Sequence, residues 1–434
     1  MRRLLLTLLS LVALLLMLPL LALQREPALP PAPPGSNAQL AVQARLLWAQ
    51  VRPGAAPSGS LRHTALSERD LNSLLAQGSQ AQGDRWRARV TLLPDQLRLQ
   101  ASARAPGRLQ GFWLNAEVVW DLRARTDGAL PPLVSSRIGH LPLPPALVRW
   151  AVERWLRAQG HGPRLDAALQ LRPMLEGWQA GPGFLGLRWR WQPQSAERAV
   201  QALISPADAL ALMAQRQRLQ QLLAPMAPWS GVPVETLLQP LAELAQARQA
   251  VGGDAGTELR ALLVQLTLFT LGRDLGQWLP EARAQAALPP VRVLLAGRDD
   301  MAMHWLLSAV LAWQGDERAT AALGLAKELA DVRVGSGFSF NDLAADAAGL
   351  SLGRLAARSP QQLLNRMAAG LRQDDFFPRV DDLPEFLSPS EFARRYGRLG
   401  SPAYEAEMQR IRERVAALPL YRSVGSEGPA RSPP

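Results

Sequence analysis

Apolar side chains recur with two different periods along this chain, and the change near residue 200 divides it into two kinds of structure. Over residues 61–193 the period is two. Trp86, Ala88, Val90 and Leu92 alternate with Arg85, Arg87 and Arg89. After Pro94-Asp95 the pattern resumes as Leu97, Leu99 and Ala101 against Arg98 and Gln100. Successive side chains of a strand point to opposite faces, so these residues predict a hairpin with one dry face. Leu114, Ala116, Val118, Trp120 and Leu122 predict a longer strand. Leu185, Leu187, Trp189 and Trp191 predict a last one. Two helices interrupt the alternation. Ser67-Glu68-Arg69-Asp70 is a capping box of the Asp form, opening a short helix with Leu71, Leu74 and Leu75 on one side. Residues 145–157 predict an amphipathic helix with Leu147, Trp150, Ala151, Arg154 and Trp155 to place.

Beyond a Gln/Pro/Ser segment at 192–205 the period becomes helical. Ser205-Pro206-Ala207-Asp208 sets an N-cap, a proline at N1 and an acid at N3. Leu210, Met213, Leu219, Leu222 and Leu223 follow at helical spacing. Further helices are expected at about 233–250, 257–279, 300–313, 318–332, 340–357 and 359–372, with no strand among them. The expected fold is an α+β N-terminal domain with an antiparallel sheet over 61–193, followed by an all-α domain over 205–422. Residues 423–434 are expected to be a disordered tail.

The N-terminus carries an address. Arg2 and Arg3 precede an uncharged run over residues 4–23, about 30 Å long as a helix and enough to cross a bilayer core. Leu21-Ala22-Leu23-Gln24 is a poor cleavage site, and arginines before a span favour a cytoplasmic N-terminus. Residues 1–24 therefore predict an uncleaved signal anchor, one transmembrane helix that holds the bulk of the chain in the periplasm at the inner membrane. Residues 25–60 are expected to be a Pro-rich linker and lead-in, with 27–36 as a stiff spacer.

Among 434 residues there are 48 basic and 37 acidic side chains, a net charge of +11, and no cysteine. Disulfides, thiolate metal sites and Cys nucleophiles are thereby excluded. All basic residues but Lys327 are arginine, spread almost evenly with no basic run interleaved with aromatics. Nucleic acid is not the expected partner; lipid or an anionic envelope polymer is.

The polar residues with most chemical capacity lie between 297 and 355. His304 and Ser308 are four apart on one helix, and Lys327, Glu328 and Asp331 fall within one turn of the next. Ser339 caps a third helix with Asp342 at N3, and Asp346 lies one turn further on. Ala345, Gly349 and Gly353 make a small-residue stripe suited to close helix contact. In one reading these groups are structural, with Lys327 paired to Asp331 and His304 to Glu328. In another, His304, Glu328, Asp331 and Asp346 hold a hard or borderline divalent ion. In a third, His304 is a general base among the catalytic candidates His304, Lys327, Glu328 and Asp331. No HExxH, GxSxG, P-loop or GxGxxG motif accompanies them.

Three resemblances rest on these patterns. Residues 61–193, with "LSERDLNSLLA", the alternating strands and "IGHLPLPPALV", are similar to membrane-anchored domains of the YpmS and YceB kind. That likeness implies a curved sheet holding lipid-like chains. Residues 297–355 resemble the YfiM-like predicted periplasmic lipoproteins, and more loosely the VanZ-like family. The likeness runs through Asp299, Asp300, His304 and Ser308, then Gly324, Lys327, Glu328 and Asp331, then "GSGFSF.DL" and Asp346, Gly349 and Gly353. The whole chain is similar to proteobacterial envelope proteins ending in "FARRYG" and "AALPLYR". The expected function is non-enzymatic: a lipid-contacting or envelope-assembly protein, with its cofactor left open and a divalent metal not favoured. The alternative is a metal-dependent or His-based hydrolase acting on lipid or cell-wall material.

Overall fold

The computed structural model describes residues 22–31, 58–81, 85–105, 111–123, 131–158, 160–314, 338–398 and 401–422. The chain divides into two compact units, Met1–Ala199 and Val200–Pro434. The first holds strands β1 (Leu23–Gln24), β2 (Leu61–Ser67), β3 (Trp86–Leu93), β4 (Gln96–Arg104), β5 (Trp113–Asp121), β6 (Leu133–Ile138), β7 (Leu141–Pro142), β8 (Leu175–Gly181) and β9 (Phe184–Arg190). Its helices are α1 (Glu68–Ala81), α2 (Pro145–Ala158) and α3 (Gly162–Leu171). The division between units falls within α4 (Pro193–Leu203), so the segment expected to separate the domains is itself helical.

The alternation at 86–101 is the β3–β4 hairpin, with Leu93 opposite Gln96 across Pro94-Asp95. Asp95 takes a φ of 57°, which a short polar side chain tolerates in a tight turn. Where one antiparallel sheet was expected there are two. One runs β3-β4-β5-β6-β7 with β1 on β5, and the other runs β2-β9-β8. Which sheet a strand joins depends on distant pairing, which alternation alone does not encode.

β3 is an edge strand, and α1 covers its free edge with side chains. Asn72 accepts from the Val90 N–H and donates to the Val90 carbonyl, each at 2.8 Å. Glu68 accepts from Leu92 N–H at 2.8 Å, and Ser79 donates to the Trp86 carbonyl. Satisfying an edge in this way prevents another strand from adding to it. The capping box that opens α1 forms as expected, with Ser67 Oγ accepting from Asp70 N–H at 3.1 Å.

The N-terminal expectations need correction from residue 23 onward. Among the described residues no helix is long and apolar enough to cross a membrane. Residues 1–21, nearly all of the predicted span, lie outside them. Leu23 and Gln24 pair with Leu114 and Trp113 as strand β1. The segment after it is not a free spacer. Ala28 N–H donates to Asn115 Oδ1 at 2.9 Å, Arg87 donates to the Leu29 carbonyl at 2.9 Å, and Leu29 is 5% exposed. Residues 24–31 thus cover the sheet face that the alternation marks as polar, where Trp113, Asn115 and Ser102 are buried. On the opposite face Val90 and Leu92 are buried, and Leu97, Leu99, Val118 and Trp120 are only half-buried.

The second unit is a helical array: α5 (Pro206–Leu223), α6 (Val234–Ala250), α7 (Ala255–Thr270), α8 (Asp299–Gln314), α9 (Phe340–Arg358), α10 (Pro360–Ala368), α11 (Gln373–Phe376), α12 (Pro389–Tyr396), α13 (Pro402–Ala416) and α14 (Pro419–Arg422). Ser205 caps α5 as its sequence predicts, accepting from Asp208 N–H. The unit is not wholly α. Strands β10 (Gly231–Pro233) and β11 (Arg292–Leu294) form a two-stranded parallel ladder. Three residues are too few for a period to register, and the partners lie far apart in sequence. α7, α8 and α9 meet in one core around Leu262, Leu266, Trp305, Phe340 and Leu352, all buried. Residues 423–434 lie outside the described residues.

Candidate functional site

The site is built on α8 and α9. Asp299 and Asp300 occupy the first turn of α8, where exposed N–H groups and the helix dipole favour carboxylates. His304 and Ser308 follow on one face. Ser339 caps α9 by accepting from Asp342 N–H at 3.1 Å, and Asp342 and Asp346 then stand one turn apart opposite His304. Glycines further along the seam set how near the helices come. A Cβ on Gly349 would lie 2.2 Å from the Trp305 carbonyl oxygen, and one on Gly353 2.2 Å from that of Ala309. Only glycine lets two backbones approach this closely.

His304 is 4% exposed. Its Nδ1 lies 3.2 Å from Asp346 Oδ1, and Ser308 Oγ donates to the same oxygen at 2.7 Å. Nε2 faces Asp342 Oδ2 at 3.6 Å, beyond hydrogen-bond length. In a neutral ring the Asp346 contact places the proton on Nδ1 and leaves Nε2 as an acceptor. The imidazole is thus oriented by one carboxylate while its other nitrogen looks at a second.

Burial pushes Asp342 above the ordinary carboxylate range. The His304 and Ser339 contacts oppose that rise, and the charges of Asp300 and Asp346 add to it. Burial acts the same way on Asp300, but hydrogen bonds from Arg298 outweigh it and hold Asp300 low. Arg298 donates to Asp300 at 2.9 and 2.5 Å and grips both oxygens of Glu385. Asn341 donates to Glu385 at 2.8 Å, so one carboxylate ties together the starts of both helices.

A pH prediction follows from Asp342. A carboxyl whose pKa is raised by folding contributes stability below its unfolded value, near 3.9, and loses it as pH rises through the folded value. Asp342→Asn is therefore expected to melt above the wild type at pH 7, and the two curves should converge below about pH 4. Thermal denaturation across that range checks it; a lower melting temperature for the variant at pH 7 contradicts the assignment.

His304 and Asp346, named from the sequence, are brought together. Lys327, Glu328 and Asp331 lie outside the described residues, as does the expected pairing of Lys327 with Asp331. Asp342, read as a cap alone, also faces the imidazole. Arg298 and Glu385 escaped the sequence reading because they are 87 residues apart. Among the described residues no group of three or more His, Asp or Glu side chains is placed to hold a metal ion. Asp342 and Asp346 lie off opposite ring nitrogens, so both cannot join an ion bound through one of them.

The terminal motifs serve this helix pair. Phe392 and Tyr396 of "FARRYG" pack with Phe338 and Phe340, centroids 4.4 Å apart for Phe338–Phe392 and 4.8 Å for Phe340–Tyr396. The Tyr421 hydroxyl of "AALPLYR" lies 3.0 Å from the carbonyl oxygens of Ala348 and Phe376. Burial raises its pKa, which keeps the donor proton in place. No protein-family model, no curated protein and no solved structure matches this chain.

Proposed function

We propose that this is a membrane-anchored envelope protein that contacts lipid through its first unit and performs no catalysis. One observation carries the reading. On the apolar face of the larger sheet Val90 and Leu92 are buried, while Leu97, Leu99, Val118 and Trp120 are left half-buried, because α1 caps the β3 edge and residues 24–31 cover the other face. A soluble domain ordinarily buries such residues fully, and an apolar surface left partly open marks a binding site. An acyl chain is a complementary occupant, and the net charge of +11 favours an anionic membrane nearby. In this reading the uncharged run before Leu23 is the anchor, and the bulk of the chain lies in the periplasm. The test is the full chain in vesicles containing a phospholipid with a photoreactive acyl chain. Crosslinks are expected in peptides covering 96–121; crosslinks confined to residues 1–31 would overturn the reading.

The oriented His304 favours a second reading, a hydrolase of lipid or cell-wall esters or amides in which Nε2 takes a proton from water. The Nδ1–Asp346 contact is the arrangement a general base needs. Under the first reading His304→Ala costs about 1–3 kcal/mol, through the polar groups it strands, and no turnover exists to be lost. Turnover of such substrates by the wild type that disappears in a folded His304→Ala protein would select the hydrolase.

A further inference from the structure

α2 has no buried residue. The side chains turned toward the rest of the unit are Val148 and Leu156, with Val152 on the same side but 49% exposed, and α2 packs there on β6 and α3. The outward face carries Leu147, Trp150, Ala151 and Trp155. Trp150 is 60% and Trp155 59% exposed. Two exposed tryptophans eight ångströms or so apart along a helix are costly to leave in water without a use.

The charges around this face are one-sided. Glu153 is drawn away to Arg157, 3.3 Å distant, and Arg157 also binds Asp166 at 2.8 Å. Arg154 stands within the apolar face, exposed and with no ion pair among the described residues. Arg149, also exposed and without an ion pair there, lies outside that face. The surface offered is therefore indole, aliphatic and guanidinium, with no carboxylate.

We propose that α2 lies in the surface of an anionic phospholipid bilayer. Trp150 and Trp155 sit at the headgroup boundary, where an apolar ring and a polar N–H are both satisfied, and Arg154 extends to lipid phosphate. Charge complementarity selects this occupant. A protein partner would have to bring acids to Arg154 and an apolar pocket to both indoles, whereas a bilayer surface holds phosphate directly above acyl chains. The inference deepens the lipid-contact reading and rests on it, but names a different surface from the sheet face.

The native chain lacks cysteine, so a single Ala151→Cys substitution in the full chain accepts an environment-sensitive fluorophore at the centre of the face. In vesicles containing phosphatidylglycerol the label is expected to shift to the blue. Trp150→Ala with Trp155→Ala should lower the ratio of docked to free helix by roughly tenfold or more, and Arg154→Gln by about fivefold. Both tryptophans are exposed, so folding should survive, and an unchanged melting temperature confirms that. A label that reports water in anionic vesicles, or a shift indifferent to loss of both tryptophans, overturns the proposal. An equal shift in pure phosphatidylcholine overturns its charge selection. Photocrosslinks at 96–121 together with a water-exposed label would leave lipid contact standing and remove α2 from it.

Discussion

Gly349→Ala is expected to destabilise the second unit by about 3 kcal/mol, at the upper end of the cost of overpacking a close-packed interior. Helix propensity alone predicts the opposite sign, since alanine is favoured over glycine by about 1 kcal/mol within a helix. The difference is the neighbour. The new methyl would meet the Trp305 carbonyl oxygen at 2.2 Å and Ser308 Cβ at 2.9 Å, and a backbone carbonyl inside α8 cannot rotate aside. α8 and α9 must separate, which also draws Asp346 away from His304 and Ser308. Gly353→Ala meets the Ala309 carbonyl at the same 2.2 Å and should behave alike. Because the two sites share one helix pair, the double variant should cost less than the sum of the singles. Urea denaturation of all three checks this. A stabilised Gly349→Ala would mean that the helices do not pack along this seam.

Asp274→Ala should be nearly as damaging, at about 3 kcal/mol, through a different mechanism. Arg216 is 1% exposed, and its Nη2 donates to Asp274 at 2.8 Å. Its Nη1 donates to Gln285 at 3.0 Å, while Nε is buried without a partner. Removing the carboxylate leaves a buried guanidinium without its counter-charge, typically 3–5 kcal/mol. Because Asp274 itself is partly exposed, water can enter, which argues for the lower end. Asp274 also accepts from the Gly276 N–H at 2.7 Å, so Asp274→Asn, which keeps that bond, separates the charge from the cap. Arg216→Met should cost far less than Asp274→Ala, because replacing a buried cation by an apolar chain of similar length removes the desolvation penalty with the pair. If Arg216→Met proves the more damaging, the pair is not acting as an isolated buried charge and its counter-ion. Burial pushes the Asp274 carboxyl up, but the bonds from Arg216 and Gly276 outweigh it and hold the group below its ordinary range.

Much of the fold was legible because it is local. The 86–104 hairpin follows from alternation and a Pro-Asp turn. The starts of α1, α5 and α9 follow from Ser67, Ser205 and Ser339, each accepting from the backbone three residues on. Each interaction is complete within a few residues, so the sequence carries it whole. The small-residue stripe was legible for the same reason: three- and four-residue spacing places Ala345, Gly349 and Gly353 on one face, whatever packs there.

What only the tertiary structure decided concerns partners. Alternation marks which residues of β5 share a face. That the polar-looking face becomes buried under residues 24–31, and the apolar one half-open, depends on a segment some 90 residues away binding Asn115. Spacing likewise puts Asp342 and Asp346 on one face and His304 on another. The meeting of the imidazole with both carboxylates depends on glycines letting α9 settle against the carbonyls of α8. Periodicity in one segment fixes directions relative to its own axis; which groups meet is set by how closely two axes approach, and that distance is a property of the packed pair.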